Sequence, residues 1–179
     1  MRITILEKKT SYRGRIFDIE ELSVRLPDQR ERVYDLVNHR DSVTILPLDA
    51  ENKLWFVRQF RMGCQCDLLE LPAGVIDVGE SPEECAHREI REEVGYSAGS
   101  LLKIGEIYLA PGYINEKNHI FLARKLKIDP LEQDEDEFLE KISIPLDEAY
   151  MLARAGNITD SKSLAALLLA ESHLRASPA

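Results

Sequence analysis

The chain has few cysteines, few aromatic residues and a deficit of positive charge. It contains three cysteines, one tryptophan and 7% aromatic residues, and its 23 Lys and Arg residues are outnumbered by 32 Asp and Glu residues. An odd number of cysteines does not make a disulfide framework, and the CxC at Cys64 and Cys66 lacks the spacing of a zinc finger. We therefore expect free thiols in or near the core and a reducing, cytoplasmic setting.

Long apolar runs are lacking as well. No run has the length needed to cross a bilayer, and the N-terminus MRITILEKKTSYRGR has neither the apolar stretch nor the cleavage site of a signal peptide. The formal net charge of −9 repels phosphate backbones, which argues against a nucleic-acid scaffold. A chain of 179 residues, 44% of them hydrophobic, is instead expected to form one globular domain with a small extension and no membrane partner.

Short strand-like runs outnumber helical ones. Residues 1–40 alternate apolar and polar residues around a turn at LPDQ, and two runs flanking DAEN predict a hairpin, VTILPL (43–48) and KLWFVRQF (53–60). Further strands are predicted at LLEL (68–71), LLKIGEIYL (101–109), HIFLARKLKI (119–128) and KISIPL (141–146). Helical periodicity appears in DEAYMLARAG (147–156) and SKSLAALLLAESHL (161–174). This pattern favours an α+β fold, or an α/β sandwich with a mixed sheet, over a doubly wound fold.

A third helix is predicted inside the acidic segment GVIDVGESPEECAHREIREEVGY (74–96). Ser81 and Glu84 form a capping box around Pro82, and Gly95 is placed to end the helix in a left-handed conformation. Its buried stripe is expected to repeat every four residues, at Ala86, Ile90 and Val94.

Three acids of this helix lie beside the stripe, at Glu89, Glu92 and Glu93. Two carboxylates about 5 Å apart repel by roughly 3 kcal/mol at an effective dielectric constant near 20, and Arg88, spaced to bridge Glu84 and Glu92, cannot offset several such pairs. A solvated acidic face is one interpretation. The position at the edge of the core favours another, a bound hard cation such as Mg²⁺, with Mn²⁺ as a substitute.

The fixed residues of this segment resemble the Nudix box without a mismatch. They are Gly74, Glu80, Arg88-Glu89, Glu92-Glu93 and Gly95, with aliphatic Ile90 and apolar Tyr96 in place. Seven identities, at a usage of about 6% each, occur by chance on the order of 10⁻⁹ times per start position. The resemblance implies a Nudix α/β/α sandwich with a mixed sheet, and hydrolysis of a nucleoside diphosphate linked to another group.

The resemblance also implies a metal site. By it, Glu89 and Glu93 are metal ligands, Glu92 is a ligand or supports one, and the carbonyl of Ala73 is a further ligand. The resemblance implies catalytic roles for two residues of the helix, Glu92 and Glu93. Gly74 and Gly79 would let the loop turn tightly around the ions.

The flanking residues resemble the ADP-ribose and nucleotide-sugar pyrophosphatases of that family. ELPAG, which begins at Glu70, follows VRQFR, whose last residue matches an arginine that contacts the diphosphate, and Pro111 stands sixteen residues after Gly95. The resemblance therefore implies substrate-binding roles for Arg61, Glu70, Gly74, Pro111 and Glu116. An ordinary turn proline and a surface arginine are the alternatives for two of them.

The acidic stretch EQDEDEFLE (132–140) resembles the catalytic loop of the same subfamily. The resemblance makes Glu137 a catalytic base or late metal ligand, with Glu135 as the alternative if the loop register shifts. A solvated acidic loop is the other interpretation.

Residues 1–40 resemble a small antiparallel N-terminal sheet that pairs subunits, so the expected organisation is a dimerisation extension (1–40) and a Nudix domain (41–179). Aromatic candidates for stacking on the base are Tyr12, Phe17 and Tyr34, although the tryptophans of the subfamily have no clear counterpart.

The expected function is Mg²⁺-dependent hydrolysis of ADP-ribose or a related nucleoside diphosphate sugar to a nucleoside monophosphate and a sugar phosphate, by a cytoplasmic homodimer. One alternative is another diphosphate, such as GDP-mannose, a dinucleotide or capped RNA. The other is a non-catalytic ADP-ribose sensor.

Overall fold

The computed structural model describes residues 2–132 and 138–174. Two compact units are formed, the first by Met1–Asp41 with Tyr108–Lys117 and the second by Ser42–Ile107 with Asn118–Ala179. The first unit thus includes a segment from the middle of the chain as well as the N-terminal residues. The division into a dimerisation extension and a catalytic domain stays a prediction.

The first unit is built on an antiparallel sheet of three consecutive strands, β1 (Thr4–Arg13), β2 (Phe17–Arg25) and β3 (Glu31–His39). The predicted turn at LPDQ joins β2 to β3, where the amide of Leu26 donates to the carbonyl of Arg30 and Gln29 has a φ of +69°. Much of the apolar surface of this unit is exposed, including Ile5, Tyr12, Ile16, Val33 and Tyr34.

The second unit contains two sheets. A mixed four-stranded sheet is formed by β4 (Ser42–Pro47), β7 (Ala73–Val75), β8 (Tyr96–Tyr108) and β9 (Lys117–Ile128), in the order β7-β4-β9-β8, with β4 parallel to β9 and antiparallel to β7. The second sheet is antiparallel, in the order β10-β5-β6, from β5 (Lys53–Arg61), β6 (Cys66–Glu70) and β10 (Glu140–Pro145).

Helices cover both faces of the mixed sheet. Neighbouring residues of a strand point to opposite faces, and on β4 Ile45 packs with α1 (Pro82–Glu89), whereas Leu46 packs with α3 (Ser161–Leu174). The strand β9 divides in the same way, since Phe121 joins the first cluster and Ile120 the second. The predicted α/β/α sandwich with a mixed sheet is therefore confirmed.

The remaining helices lie close to their predicted positions. The predicted helices at 147–156 and 161–174 are α2 (Leu146–Arg154) and α3. Asp160 caps α3, because its carboxylate accepts the backbone N–H of Ser163 at 3.0 Å. Among the helices that the structure describes, none combines the length and the apolar character of a membrane span.

The predicted hairpin around DAEN is wrong. Leu48 and Leu54 form a single antiparallel bridge, after which β4 and β5 separate into different sheets. The turn itself is held by Asp49, whose carboxylate accepts the amides of Glu51 and Lys53, each at 2.9 Å. A turn signal between two apolar runs therefore identified the reversal of the chain but not the pairing of the strands.

The prediction of thiols in or near the core holds for one cysteine only. Cys85 is buried, whereas Cys64 and Cys66 are exposed at the turn between β5 and β6. Turns lie at the surface because their backbone groups need water or local partners.

Candidate metal and diphosphate site

The loop before α1 is closed by hydrogen bonds that its own sequence supplies. The capping box is present: the Ser81 hydroxyl accepts the amide of Glu84 at 3.2 Å, and the Glu84 carboxylate accepts the amide of Ser81 at 2.9 Å. Gly79, with a φ of +91°, makes the preceding turn, where the carboxylate of Glu80 accepts the amide of Asp77. This turn fixes where the helix and its acids begin.

The end of the helix is wider than predicted. Ile90–Val94 form a π-helical turn, and the amide of Gly95 donates to the carbonyl of Ile90, five residues back. Gly95 has a φ of +84°, as expected for the end of the helix, and the stripe of Ala86, Ile90 and Val94 is buried. Glu92 and Glu93 therefore lie in a π turn instead of a regular α-helix. Single π turns of this kind occur frequently at functional sites.

Glu89 lies against the backbone of Gly74. Its side chain is 9% exposed, and a Cβ atom placed on Gly74 would stand only 1.7 Å from the Glu89 Oε1 atom. Gly74 has no unusual φ, so its role differs from the tight turn predicted for it. Here the absence of a side chain makes room for a carboxylate.

Glu93 contacts the residue that precedes Gly74 on β7. The residue is 2% exposed, and its carboxylate accepts the amide of Ala73 at 3.1 Å. The two buried acids Glu89 and Glu93 thus approach consecutive residues of β7, Gly74 and Ala73. Taking a carboxylate out of water is costly unless a positive charge or hydrogen bonds compensate it.

Arg88 is the cation at the centre of the acids. Its Nη1 atom donates to Glu89 at 2.7 Å and to Glu92 at 2.9 Å, while Nε and Nη2 hold both oxygens of Glu80. Glu80 and then Glu89 raise the pKa of the guanidinium, and in return Arg88 lowers the pKa of Glu80. The expected bridge to Glu84 is absent, because the Glu84 carboxylate is engaged in the capping box.

Arg61 is clamped by Glu70 on the neighbouring strand. The Nε and Nη2 atoms of Arg61 donate to the two oxygens of Glu70, each at 2.7 Å, in a bidentate pair. Arg61 is 42% exposed in its side chain, whereas that of Glu70 is 1% exposed. Glu70 is the main cause of the raised pKa of Arg61, and the charge of Glu93 contributes as well. Arg61 therefore lies within electrostatic reach of Glu93.

Lys162 and Asp160 extend this pair to α3. Lys162 contacts the second oxygen of Glu70 and donates to Asp160 at 2.8 Å. Burial raises the pKa of Glu70, but Arg61 and Lys162 together leave that pKa below its ordinary value. The hydroxyl of Ser163 donates to Asp160 and accepts the amide of Leu71 at 2.8 Å, which joins the helix to the segment after β6.

The remaining site candidates lie in the first unit or outside the described residues. Pro111 and Glu116 belong to the first unit. There Glu116 is 9% exposed, and one carboxylate oxygen lies 3.6 Å from Nδ1 of His39. Glu137 and its alternative Glu135 lie outside the described residues.

Comparison with known proteins identifies the family. The model of the NUDIX domain matches residues 38–167. The chain belongs to the Nudix family. The prediction from the box is therefore confirmed, and with it the prediction that the chain is an enzyme, a Nudix hydrolase.

Relatives of this Nudix chain cover nearly its whole length. An ADP-ribose pyrophosphatase of Bacillus subtilis (strain 168) is 35% identical over 90% of this chain and 89% of its own. A methanol dehydrogenase activator of Bacillus methanolicus is 32% identical over 87% of this chain and 85% of its own. Among solved structures, an ADP compounds hydrolase covers 98% of this chain and 95% of its own, with a TM-score of 0.88 and 31% identity.

Nudix hydrolases generally need a divalent metal ion, and the donor chemistry of this site fits one. Three carboxylates, those of Glu80, Glu89 and Glu92, contact the guanidinium of Arg88, and a fourth, that of Glu93, accepts the amide of Ala73. Oxygen ligands of this kind suit a hard cation. Within residues 2–132 and 138–174, however, no three acidic, His or Cys side chains are gathered as a ligand set. Glu89 and Glu92 are turned onto Arg88, so they would have to turn from it to bind an ion.

Sequence patterns did not reveal two residues of the candidate site. They are Lys162, which contacts Glu70, and Asp160, which accepts a hydrogen bond from Lys162. A signal for the lysine was present, because a cation in the first turn of a helix opposes the helix dipole and needs a specific partner. That partner, Glu70, is 92 residues away in the chain. Local patterns do not reach across such a distance.

Proposed function

We propose that this enzyme hydrolyses the diphosphate bond of ADP-ribose and related nucleoside diphosphate sugars, with Mg²⁺ as the metal ion. Water would add across the P–O–P bond, and ADP-ribose would give AMP and ribose 5-phosphate. The observation that carries the proposal is the pair of buried acids, Glu89 and Glu93, set against consecutive backbone positions beside a clamped arginine. The names of two relatives, an ADP-ribose pyrophosphatase and an ADP compounds hydrolase, support this substrate class.

The proposed metal ligands are Glu89, Glu92, Glu93 and the carbonyl of Ala73, with Glu137 as a late ligand. When bound, Mg²⁺ would polarise phosphoryl oxygens and lower the pKa of a bound water. Arg88 contacts Glu89 and Glu92 through charge-assisted hydrogen bonds, which an ion would replace at the oxygens that it binds. Gly74 leaves the space that the carboxylate of Glu89 occupies.

Arg61 is proposed to bind the diphosphate, and Glu70 is proposed to orient the guanidinium of Arg61. A guanidinium has five N–H donors, and Glu70 accepts two of them through Nε and Nη2. The rest can serve a substrate anion without breaking the clamp. Since both oxygens of the buried Glu70 are engaged by Arg61 and Lys162, we assign Glu70 to positioning Arg61 rather than to direct substrate contact.

Glu137 is proposed as the base that takes a proton from water, because the helix acids would be occupied as metal ligands. Pro111 and Glu116 are proposed to contact the sugar side of the substrate. These three assignments are supported by the family resemblance of the segments that carry them.

We also propose a homodimer formed through residues 1–40. In the described part of this segment several large apolar residues are more than half exposed, including Ile5 at 61%, Tyr12 at 59% and Val33 at 63%. Exposed apolar patches of this kind mark association surfaces. Sedimentation at micromolar concentration tests the proposal, and a species of 20.4 kDa, the mass of one chain, would contradict it.

A substrate panel tests the proposed activity. ADP-ribose, GDP-mannose, a dinucleotide and capped RNA are incubated with the enzyme and Mg²⁺, Mn²⁺ or a chelator, and the products are identified by mass spectrometry. We expect AMP and ribose 5-phosphate from ADP-ribose at the highest kcat/KM, and no turnover with the chelator. Preference for another diphosphate would replace the substrate assignment. Binding of ADP-ribose without turnover would indicate the sensor alternative.

A further inference from the structure

The turn between β5 and β6 holds two thiols side by side. Cys64 and Cys66 are both exposed, and their sulfur atoms are 3.3 Å apart. The third cysteine, Cys85, is buried in the cluster between α1 and the mixed sheet, and burial raises the pKa of its thiol. None of the roles assigned to the metal and diphosphate site uses either exposed cysteine.

The backbone of the turn explains why the sulfur atoms meet. In an extended strand, residues two apart are separated by about 6.6 Å, which is close to the upper limit for a disulfide. Gln65, between the two cysteines, instead has a φ of +53°, and its amide donates to the carbonyl of Arg61 at 2.8 Å. This left-handed residue folds the chain so that both neighbouring side chains approach each other.

The two thiols are not equivalent. The Cys66 thiol donates a hydrogen bond to the sulfur of Cys64, and this bond raises the pKa of Cys66. The bond keeps the proton on Cys66, and this proton must be lost before Cys66 can attack a disulfide. Cys64 therefore has the character of an attacking thiol and Cys66 that of a resolving thiol.

We propose that Cys64 and Cys66 form a dithiol site that reacts with low-molecular-weight disulfides of the glutathione class and closes to an internal disulfide. The Cys64 thiolate attacks one sulfur of the small disulfide, which gives a mixed disulfide and releases one thiol. Cys66 then loses its proton and attacks the Cys64 sulfur, which forms the Cys64–Cys66 bond and releases the second thiol. The dithiol loses two electrons and two protons, and these reduce one small disulfide to two thiols.

Closure would act directly on the backbone of Arg61. Arg61 is the cross-strand partner of Cys66, and its carbonyl accepts the amide of Gln65. The thiol of Cys64 donates to the same carbonyl oxygen at 3.6 Å. The site therefore lies at the end of the strand that presents Arg61 to Glu70.

Intact-mass analysis of the full chain tests the reaction. The reduced protein is equilibrated with mixtures of reduced and oxidised glutathione, then denatured, alkylated and weighed. We expect a chain lighter by two hydrogens with one alkylated cysteine, which peptide mapping should identify as Cys85. A peptide with the sequence RMGCQCDL is the matched control, and the folded chain should favour the disulfide at least about tenfold more, because its turn is preorganised.

Single variants test the roles of the two thiols. Cys66→Ser should stop at a glutathione adduct on Cys64, and Cys64→Ser should react more slowly. A stable adduct on the wild-type chain, a bridge to Cys85 or to a second chain, or an equilibrium equal to that of the peptide would overturn the proposal. Amide exchange over residues 61–66 should slow after oxidation, and unchanged exchange would refute the link to Arg61.

Discussion

Replacing Gly74 with alanine tests the close approach on which the candidate metal site depends. The new Cβ would lie 1.7 Å from Oε1 and 2.0 Å from Cδ of Glu89. Ordinary contacts between such atoms are about 3.5 Å, so the carboxylate has to move by roughly 1.5–2 Å. Because the clashing atoms are the far end of a flexible side chain, the carboxylate can move while the backbone stays.

The expected result separates function from folding. A displacement of about 1 Å in a reacting assembly can cost on the order of a hundredfold in rate, and we expect a loss of at least that size in kcat with ADP-ribose and Mg²⁺. The free energy of unfolding should fall by no more than about 2 kcal/mol, the value of one hydrogen bond to a charged group. Steady-state kinetics and thermal unfolding measure the two effects.

Two variants complete the Gly74 experiment. Gly63→Ala is the matched control, because a Cβ there would meet no atom within 4 Å, and its activity should equal that of the wild type. Adding Glu89→Asp to Gly74→Ala shortens the clashing side chain by one methylene and should restore part of the activity. Wild-type turnover in Gly74→Ala alone would refute the assignment of Glu89 to the metal site.

Three further predictions address the other charged residues. Glu93→Gln should lower turnover at least about a hundredfold while the fold survives, and near-normal turnover at saturating Mg²⁺ would contradict its role as a ligand. Lys162→Met removes one of the cations that lower the pKa of Glu70, and the stability that ionised Glu70 contributes is lost as the pH falls through that pKa. The variant should therefore unfold at a higher pH than the wild type in an acid titration, whereas Lys162→Arg should retain the wild-type midpoint. Glu137→Gln should depress kcat and leave ADP-ribose binding intact; an active Glu137→Gln beside an inactive Glu135→Gln would move the assignment by two residues.

Much of the helix could be predicted from its sequence because its signals are local. The capping box at Ser81 and the left-handed Gly95 depend on residues within a few positions, and both are found in the structure. The buried stripe of Ala86, Ile90 and Val94 was predicted correctly because it follows from helical periodicity. The π turn was not, since the residues of IREEV suit an α-helix equally well and the widening depends on how the turn packs.

Long-range pairing accounts for the rest of what the sequence did not reveal. The clamp between Arg61 and Glu70 depends on the register of β5 and β6, and Lys162 comes from a helix near the other end of the chain. The hairpin around DAEN failed for the same reason, because β4 pairs with β7 and β9 instead of β5, and its partners on β9 are more than seventy residues away. Periodicity gives the faces of a strand but not the identity of its neighbours.

Arg88 has a consequence for how this site would take up its ion. Because its guanidinium already contacts Glu80, Glu89 and Glu92, an arriving cation would compete with a resident one for the oxygens that Arg88 holds. Occupancy is then an exchange equilibrium, whose constant is the affinity of the acids for the ion divided by their affinity for the arginine. An internal counter-ion of this kind would reduce the repulsion among the acids before an ion binds, weaken the net hold on the ion, and give the acids a partner to which they return when the ion leaves.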